Sequence, residues 1–209
     1  MIIFPLEMRK IIFCALFFAA IALMPHGANC FVLTQDLKDE ISDEQFLVKV
    51  HPKDPQSHFE LAMTYAYSNR IEDGLSELKT VDDLDPKFAK KAYIIYGKKA
   101  RIFPNDWKVR FRYAFALYFN KKKSEAIDEF KKVIKQDPGN VFAYGYIATI
   151  YGEMDDLDSA IDYAKKAVEI DSNVAAIHLL LGTGYYKKGQ AAQGLAETME
   201  ALRLRALGY

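Results

Sequence analysis

The residues that most often bind metal ions are scattered along this chain. Its histidines and cysteines are His26, His51, His58, His178, Cys14 and Cys30. Zinc sites bring such ligands together at short spacings, such as His-x-x-x-His or Cys-x-x-Cys, and neither spacing occurs here. The sequence therefore predicts no metal site. We expect His58 and His178 to be structural residues that pack between helices.

Three acids, Asp155, Asp156 and Asp158, resemble the start of a calcium-binding loop. A calcium loop of this kind ends with a glutamate at its twelfth position, and no glutamate completes that spacing here. The same acids suit the beginning of a helix, where the helix dipole favours negative charge. We interpret them as the link between two helices.

No motif for catalysis or for a phosphate-bearing cofactor appears. Gly182, Gly184 and Gly189 do not match the spacing of a phosphate-binding loop, and no predicted strand precedes them. No serine lies in the strand-turn-helix context of a nucleophile. The sequence thus predicts no catalytic residue, no cofactor and no enzymatic activity.

Composition limits the classes of partner. The 209 residues include 28 basic and 28 acidic side chains, so no overall field attracts nucleic acid or an anionic membrane surface. The basic runs at residues 121–123 and 131–132 are balanced by nearby acids, which favours a solvated face. Both cysteines lie in the first 30 residues, so the rest of the chain forms no internal disulfide. We expect a protein or peptide partner and no nucleic acid.

The beginning of the chain has the pattern of a secretory signal. Arg9 and Lys10 precede an uncharged run, residues 11–24, and small or turn-forming residues follow it. The run is too short to span a bilayer as a helix, so we predict a signal peptide over residues 1–30, cleaved after Cys30. The alternatives are a retained anchor and lipidation of Cys30, and Met8 is an alternative start. We expect the protein to be exported, to the periplasm or outside the cell.

A period of 34 residues organises the rest of the sequence. The positions that recur at this spacing are Tyr113, Ile147 and Leu181, then Ala114, Ala148 and Gly182, then Ala126, Ala160 and Gly194. The pattern resembles the tetratricopeptide repeat, whose two antiparallel helices cross at small residues. This resemblance implies an all-α fold, a right-handed superhelical solenoid of antiparallel helix pairs.

The repeat divides the chain into predicted segments. We expect an N-terminal capping helix at 31–54, repeat 1 at 55–88, an inserted single helix or degenerate half-repeat at 89–106, and further repeats at 107–140, 141–174 and 175–209. The insertion puts the first unit out of phase with the others. It either breaks the superhelix or packs against its face.

The resemblance also implies a partner-binding groove on the first helix of each unit. The corresponding positions are Phe59, Met63, Lys108, Phe111, Arg112, Phe115, Phe119, Phe142, Tyr146, Thr149, Leu179 and Thr183. Some members of the family hold a peptide's terminal carboxylate with asparagine at positions that are here Met63, Phe115, Thr149 and Thr183. An apolar peptide or amphipathic helix is therefore the expected ligand. Alternatively, these aromatic residues pack between adjacent repeats.

We therefore predict a non-catalytic scaffold or adaptor of the cell envelope, which binds another protein in an aromatic groove. The alternative is a structural protein that self-assembles through its C-terminal end. The apolar residues expected there are Leu202, Leu204 and Leu207, which we expect a second copy or a partner to cover.

Overall fold

A computed structural model describes residues 33–208, which are almost entirely helical. The helices are α1 (Gln35–Val50), α2 (Pro55–Ala66), α3 (Ile71–Leu84), α4 (Phe88–Ile102), α5 (Trp107–Phe119), α6 (Lys123–Gln136), α7 (Val141–Glu153), α8 (Leu157–Ile170), α9 (Ala175–Lys187) and α10 (Ala191–Leu207). No β-strand occurs in this range. The predicted signal peptide lies outside the described residues. Between residues 33 and 208, no helix is both long enough and apolar enough to cross a membrane.

Polar side chains fix where several helices begin. Asp54 accepts hydrogen bonds from the backbone N–H groups of Gln56 (3.2 Å) and Ser57 (3.0 Å), and Pro55 occupies the first helical position of α2. Asp106, Asn140 and Asp156 do the same for α5, α7 and α8. These side chains satisfy donors that a helix start leaves without partners, so the short links between helices are well defined.

The helices pack mainly as antiparallel pairs, α2 with α3, α5 with α6, α7 with α8 and α9 with α10. Small residues lie where the members of a pair cross. A methyl group added to Gly74 would lie 2.9 Å from the carbonyl oxygen of Ala62, and one added to Gly194 would lie 3.0 Å from that of Gly182. The helix backbones approach closely at these points because no side chain separates them.

Helix α4 packs along α5 and also contacts the first pair. Its Tyr96 hydroxyl donates to Glu60 Oε1 over 2.7 Å, and the Tyr96 ring lies 5.4 Å from that of Phe59. Asn120 at the end of α5 donates to the carbonyl oxygen of Ala89, 2.7 Å away. The inserted helix thus fills the space between the first helix pair and the second.

The first pair contacts the later repeats as well as its neighbour in sequence. The Tyr146 hydroxyl on α7 donates to the carbonyl oxygen of Ala66 on α2 over 3.3 Å. Arg205 near the end of α10 lies 3.4 Å from Glu72 at the start of α3. Helices α2 and α3 therefore lie across the face that α5, α7 and α9 present.

Candidate functional site: an apolar cavity under the first helix pair

An apolar cavity of about 100 Å³ lies between the first helix pair and the later repeats. Its walls come from α2, α3, α5, α6, α7 and α9, and the residues that line it are Ala62, Met63, Ala66, Ile71, Gly74, Leu75, Leu78, Phe115, Tyr118, Phe119, Phe130, Phe142, Gly145, Tyr146, Thr149, Ile150, Ala176, Ile177 and Leu180. Apolar side chains from six helices converge on one space.

Half of the predicted groove positions meet at this cavity. They are Met63, Phe115, Phe119, Phe142, Tyr146 and Thr149. Met63 of the first helix pair faces the other five, which belong to α5 and α7, and Met63 and Phe142 are only 0% and 4% exposed. That these residues contact a partner stays a prediction.

The other predicted groove positions lie elsewhere. Phe59 is buried against α4, and Phe111 is fully buried among aromatic rings. Lys108 and Arg112 belong to a charged cluster described below. Leu179 and Thr183 are half-buried on α9 and do not line the cavity. The sequence pattern could not distinguish the predicted positions that line the cavity from those that do not, because it does not show where the first helix pair lies.

Aromatic rings make the floor of the cavity. The Tyr146 ring lies 4.6 Å from that of Phe115 at an angle of 75°, and 5.8 Å from that of Phe130 in a stacked arrangement. Both geometries are favourable for aromatic pairs. Burial raises the pKa of Tyr146, so its hydroxyl stays neutral and donates to Ala66.

The hydroxyl groups around the cavity are already bonded within the chain. Thr149 Oγ1 donates to the carbonyl oxygen of Gly145 over 3.0 Å, and the Tyr118 hydroxyl donates to Glu153 over 2.6 Å. With the Tyr146 bond to Ala66, all three hydroxyl groups of the lining residues have partners. The space therefore suits a hydrocarbon or aromatic group rather than a polar one.

A buried cation joins α5 to the N-terminal helices. Arg112 Nη2 lies 2.8 Å from Glu44 Oε1, 3.1 Å from Thr64 Oγ1 and 3.4 Å from Glu40 Oε1. Lys108 on the same face donates to Glu40 Oε2 over 2.5 Å. These contacts connect α1 and α2 with α5, so they fix the orientation of the first helix pair over the cavity.

The two acids of this cluster have opposite pKa shifts. Burial raises the pKa of Glu44 above its ordinary value, although the charge of Arg112 opposes the shift. Burial also acts on Glu40, but hydrogen bonds from Lys108 and Tyr67 and the charges of Lys108 and Arg112 outweigh it, and the pKa of Glu40 is lowered. Glu44 Oε2 and Arg112 Nε are buried without a hydrogen-bond partner. The cluster thus leaves two of its buried polar atoms without a hydrogen bond.

A polar bridge recurs in three of the helix pairs. His58 Nε2 donates to the carbonyl oxygen of Pro52, and its Nδ1 lies 2.5 Å from Glu77 Oε2. The same pattern, with a carbonyl six residues earlier and an acid nineteen residues later, recurs for His178 with Ser172 and Glu197, and for Arg110 with Pro104 and Glu129. Each histidine thus links the two helices of its pair, which makes its expected structural role more specific.

The third pair replaces this bridge with two aromatic residues. Tyr144 and Tyr163 occupy the corresponding places, and their ring centroids lie 6.3 Å apart. The spacing of His58 and Glu77, of His178 and Glu197, and of Arg110 and Glu129 was a usable signal in the sequence. The repeat pattern alone does not predict the bridge, because that pattern depends on small and apolar positions.

Within residues 33–208, no group of three His, Cys, Asp or Glu side chains lies close enough to hold a metal ion. Asp156 caps α8 through bonds from the Ser159 backbone N–H (3.1 Å) and hydroxyl (2.7 Å). The neighbouring Asp155 adopts a left-handed backbone conformation, with φ of 64°. These acids form the link between α7 and α8.

Comparison with known proteins agrees with this architecture. A tetratricopeptide repeat profile matches residues 143–174, and no curated protein matches the chain. Among solved structures, the chain is similar to a MamA fragment from Desulfovibrio magneticus RS-1 at 16% identity, covering 82% of this chain and 87% of that one with a TM-score of 0.54. It is also similar to MamA from MSR-1 at 16% identity, covering 83% and 90% with a TM-score of 0.53.

At these identities the likeness shows the fold and not the activity. It agrees with the repeat match and with the antiparallel helix pairs of residues 55–207. The predicted all-α, right-handed solenoid is therefore confirmed. The chain therefore has the fold of a tetratricopeptide-repeat array, and residues 143–174 match the repeat itself.

Proposed function

We propose that this protein is a non-catalytic scaffold of the cell envelope, which binds an apolar peptide or amphipathic helix of a protein partner at the cavity under α2 and α3. Tetratricopeptide folds are protein-interaction scaffolds, so a protein partner follows from the fold. The specific site rests on one observation, the convergence of six predicted groove positions on one apolar cavity.

The cavity supplies a place for an anchoring side chain. Full burial of a leucine or phenylalanine side chain contributes roughly 2 kcal/mol, and a few such anchors dominate most interfaces. Helix α3 contributes Ile71, Leu75 and Leu78 to one wall, whereas α7 contributes the opposite one. A bound segment therefore contacts both the first pair and the later repeats.

Two threonines in equivalent places of successive repeats give a matched test. Thr149 lines the cavity and Thr183 does not, although each hydroxyl donates to a carbonyl oxygen four residues earlier. Thr149→Leu fills the cavity, whereas Thr183→Leu adds the same bulk outside it. The readouts are fluorescence of the apolar probe anilinonaphthalene sulfonate and crosslinking of envelope proteins by the full chain.

We expect Thr149→Leu to reduce both readouts and Thr183→Leu to leave both unchanged, with thermal unfolding showing that both variants are folded. Equal probe binding and equal crosslinking by the two variants would exclude the cavity as the binding site. Partners that are lost only from the Thr149 variant are those that bind at the cavity.

Export is the second part of the proposal. It is supported by the sequence pattern of residues 1–30, with Arg9 and Lys10 before an uncharged run. Cell fractionation followed by N-terminal mass analysis tests it. A mature chain that begins at Phe31 in the envelope fraction is expected, and a full-length chain in the cytoplasm would contradict export.

Self-association through the C-terminal end is the second candidate function. Leu195, Met199 and Leu202 form an apolar stripe on α10 and are 55%, 57% and 44% exposed. Leu204, which the sequence placed with this surface, is instead only 1% exposed and packs inward. Sedimentation at rising concentration tests the stripe: wild type is expected to form larger species and Met199→Lys to remain a monomer. A monomeric wild type would exclude this function.

A further inference from the structure

The solvent face of the inserted helix α4 combines cations with hydrocarbon side chains. The helix contains Lys90, Lys91, Lys98, Lys99 and Arg101 and no acidic residue. All of these cations except Lys99 are exposed. At helical spacing they surround Ile94 on one face. Such a local excess of positive charge stands out in a chain with equal numbers of basic and acidic residues.

Large apolar side chains are also exposed on α4 and directly after it. Ile94 is 55% exposed and Ile102 is 68% exposed, and Phe103, directly after the helix, is 54% exposed. The opposite face of α4 is buried through Ala92, Tyr96 and other residues. These protruding side chains are therefore not needed to hold the helix in place.

Most of the positive charge on this face is not neutralised by the protein. Lys91 pairs with Asp85 over 2.8 Å, whereas Lys90, Lys98 and Arg101 form no ion pair with any residue in the range 33–208. Lys99 pairs with Glu60 toward the inside of the fold. Three cations are thus available to an external anion.

A hollow of about 570 Å³ lies beside this face, between α4, α5 and α6. Lys98 and Arg101 line it together with Arg110 and Lys132. Its one acid, Glu129, already bonds to Arg110 over 2.8 Å and to Lys132 over 2.6 Å. The hollow therefore keeps a net positive charge and has room for a phosphate-bearing group.

We propose that the outer face of α4 docks on an anionic lipid surface, with phosphate headgroups on its cations and Ile94, Ile102 and Phe103 inserted between the lipids. Helices that lie in a membrane interface combine Lys and Arg with bulky apolar residues in this way, and anionic lipids attract the cations. An acidic protein also complements the charge, but it leaves three protruding hydrocarbon side chains without a specific pocket. A bilayer accepts them without one.

This surface is separate from the cavity of the proposed function, because no residue of α4 lines that cavity. The test uses sedimentation of the full chain with vesicles of phosphatidylcholine alone or with one third phosphatidylglycerol. The variant Lys98→Glu/Arg101→Glu is compared with Lys165→Glu/Lys166→Glu, which makes the same charge change at two exposed residues of α8. Any contribution of residues 1–30 is identical in all of these proteins.

Wild type is expected to bind the phosphatidylglycerol vesicles more tightly than the neutral ones, and less tightly as salt is added. The α4 variant is expected to lose at least about 30-fold in affinity, because each cation near an anionic surface contributes ~1 kcal/mol and the two introduced carboxylates add repulsion. The α8 variant should bind like wild type. Ile102→Ser/Phe103→Ser should weaken binding about tenfold without changing its salt dependence.

Equal binding by the α4 and α8 variants, or equal binding to neutral and anionic vesicles, would overturn the proposal. Salt-sensitive binding to polyglutamate without binding to vesicles would assign the face to an acidic protein instead. Circular dichroism shows whether each variant is folded. The cavity variants of Thr149 and Thr183 should bind vesicles like wild type, so failure here leaves the peptide-binding site untouched.

Discussion

Arg112 Nη2 lies 2.8 Å from Glu44 Oε1, although 68 residues separate the two in sequence. The contact crosses from α5 to α1, and Thr64 of α2 accepts a bond from the same nitrogen. A single guanidinium therefore connects the N-terminal cap, the first helix pair and the second pair. The position of the first helix pair, α2 and α3, over the cavity depends on this contact.

Replacing Arg112 with methionine should destabilise the protein by roughly 3 kcal/mol, because it leaves the buried carboxylates without their cation. Urea unfolding followed by circular dichroism measures this change. Lys165→Met removes an exposed cation and should change stability by less than about 0.5 kcal/mol. Equal effects of the two substitutions would show that the buried cluster contributes no specific stability.

The opposite pKa shifts of Glu44 and Glu40 predict opposite effects of removing their charge. Because the pKa of Glu44 is raised, its contribution to stability is present below the unfolded value of 4.5 and is lost as the pH rises through the folded value. Glu44→Gln should therefore raise the melting temperature at neutral pH. The difference from wild type should shrink as the pH falls.

The pKa of Glu40 is lowered, so its contribution is present above the unfolded value of 4.5 and is lost as the pH falls through the folded value. Glu40→Gln should therefore lower the melting temperature at neutral pH, by an amount that vanishes in acid. Thermal unfolding of both variants across this range measures the effects. Shifts of the same sign at neutral pH would contradict the assignment.

Substitution by alanine should change the stability of the protein in opposite directions at two helical glycines. A methyl group at Gly74 would lie 2.9 Å from the Ala62 carbonyl oxygen, so Gly74→Ala must separate α2 from α3 and should cost about 1–3 kcal/mol. At Gly152 the nearest atom is 3.8 Å away, and Gly152→Ala should stabilise by about 0.5–1 kcal/mol through helix propensity. Chemical denaturation measures both. A neutral Gly74→Ala would disprove the close approach.

The bridge between His178 and Glu197 should couple α9 to α10. Glu197→Ala leaves the buried His178 Nδ1 without its acceptor at 2.7 Å and should cost about 1–2 kcal/mol. Glu200→Ala, three residues away on the same helix, removes a half-exposed acid paired with Arg203 and should cost less than about 0.5 kcal/mol. A double-mutant cycle with His178→Phe isolates the pair, and a coupling energy near zero would reject it.

The repeat pattern predicted the fold because it depends on local features. Each unit places small residues such as Ala148 and Ala160 where two helices cross, and the links between helices end with capping residues such as Asp156. These signals lie within one period and need no knowledge of distant contacts. The antiparallel pairs could therefore be derived from sequence.

The arrangement of the first pair could not be derived in this way. It depends on contacts such as Arg112 with Glu44 and Tyr146 with Ala66, which join segments with no shared period. Because the sequence does not show where the first pair lies, it also predicted an open groove at Phe115, which is only 6% exposed. A charge at Phe115 would disrupt its packing against Phe130 and Tyr146, so it would test folding rather than binding.

The contact between Glu72 and Arg205 joins helices that a linear repeat array would hold far apart. In an open array each repeat touches only its neighbours, so the ends fray independently and unfolding proceeds in stages. Here an exposed ion pair links α10 to α3, which lies about 130 residues earlier along the chain. Such a pair contributes at most about 1 kcal/mol, so trimming the end of α10 is expected to lower the stability of α3 slightly rather than to leave it unaffected.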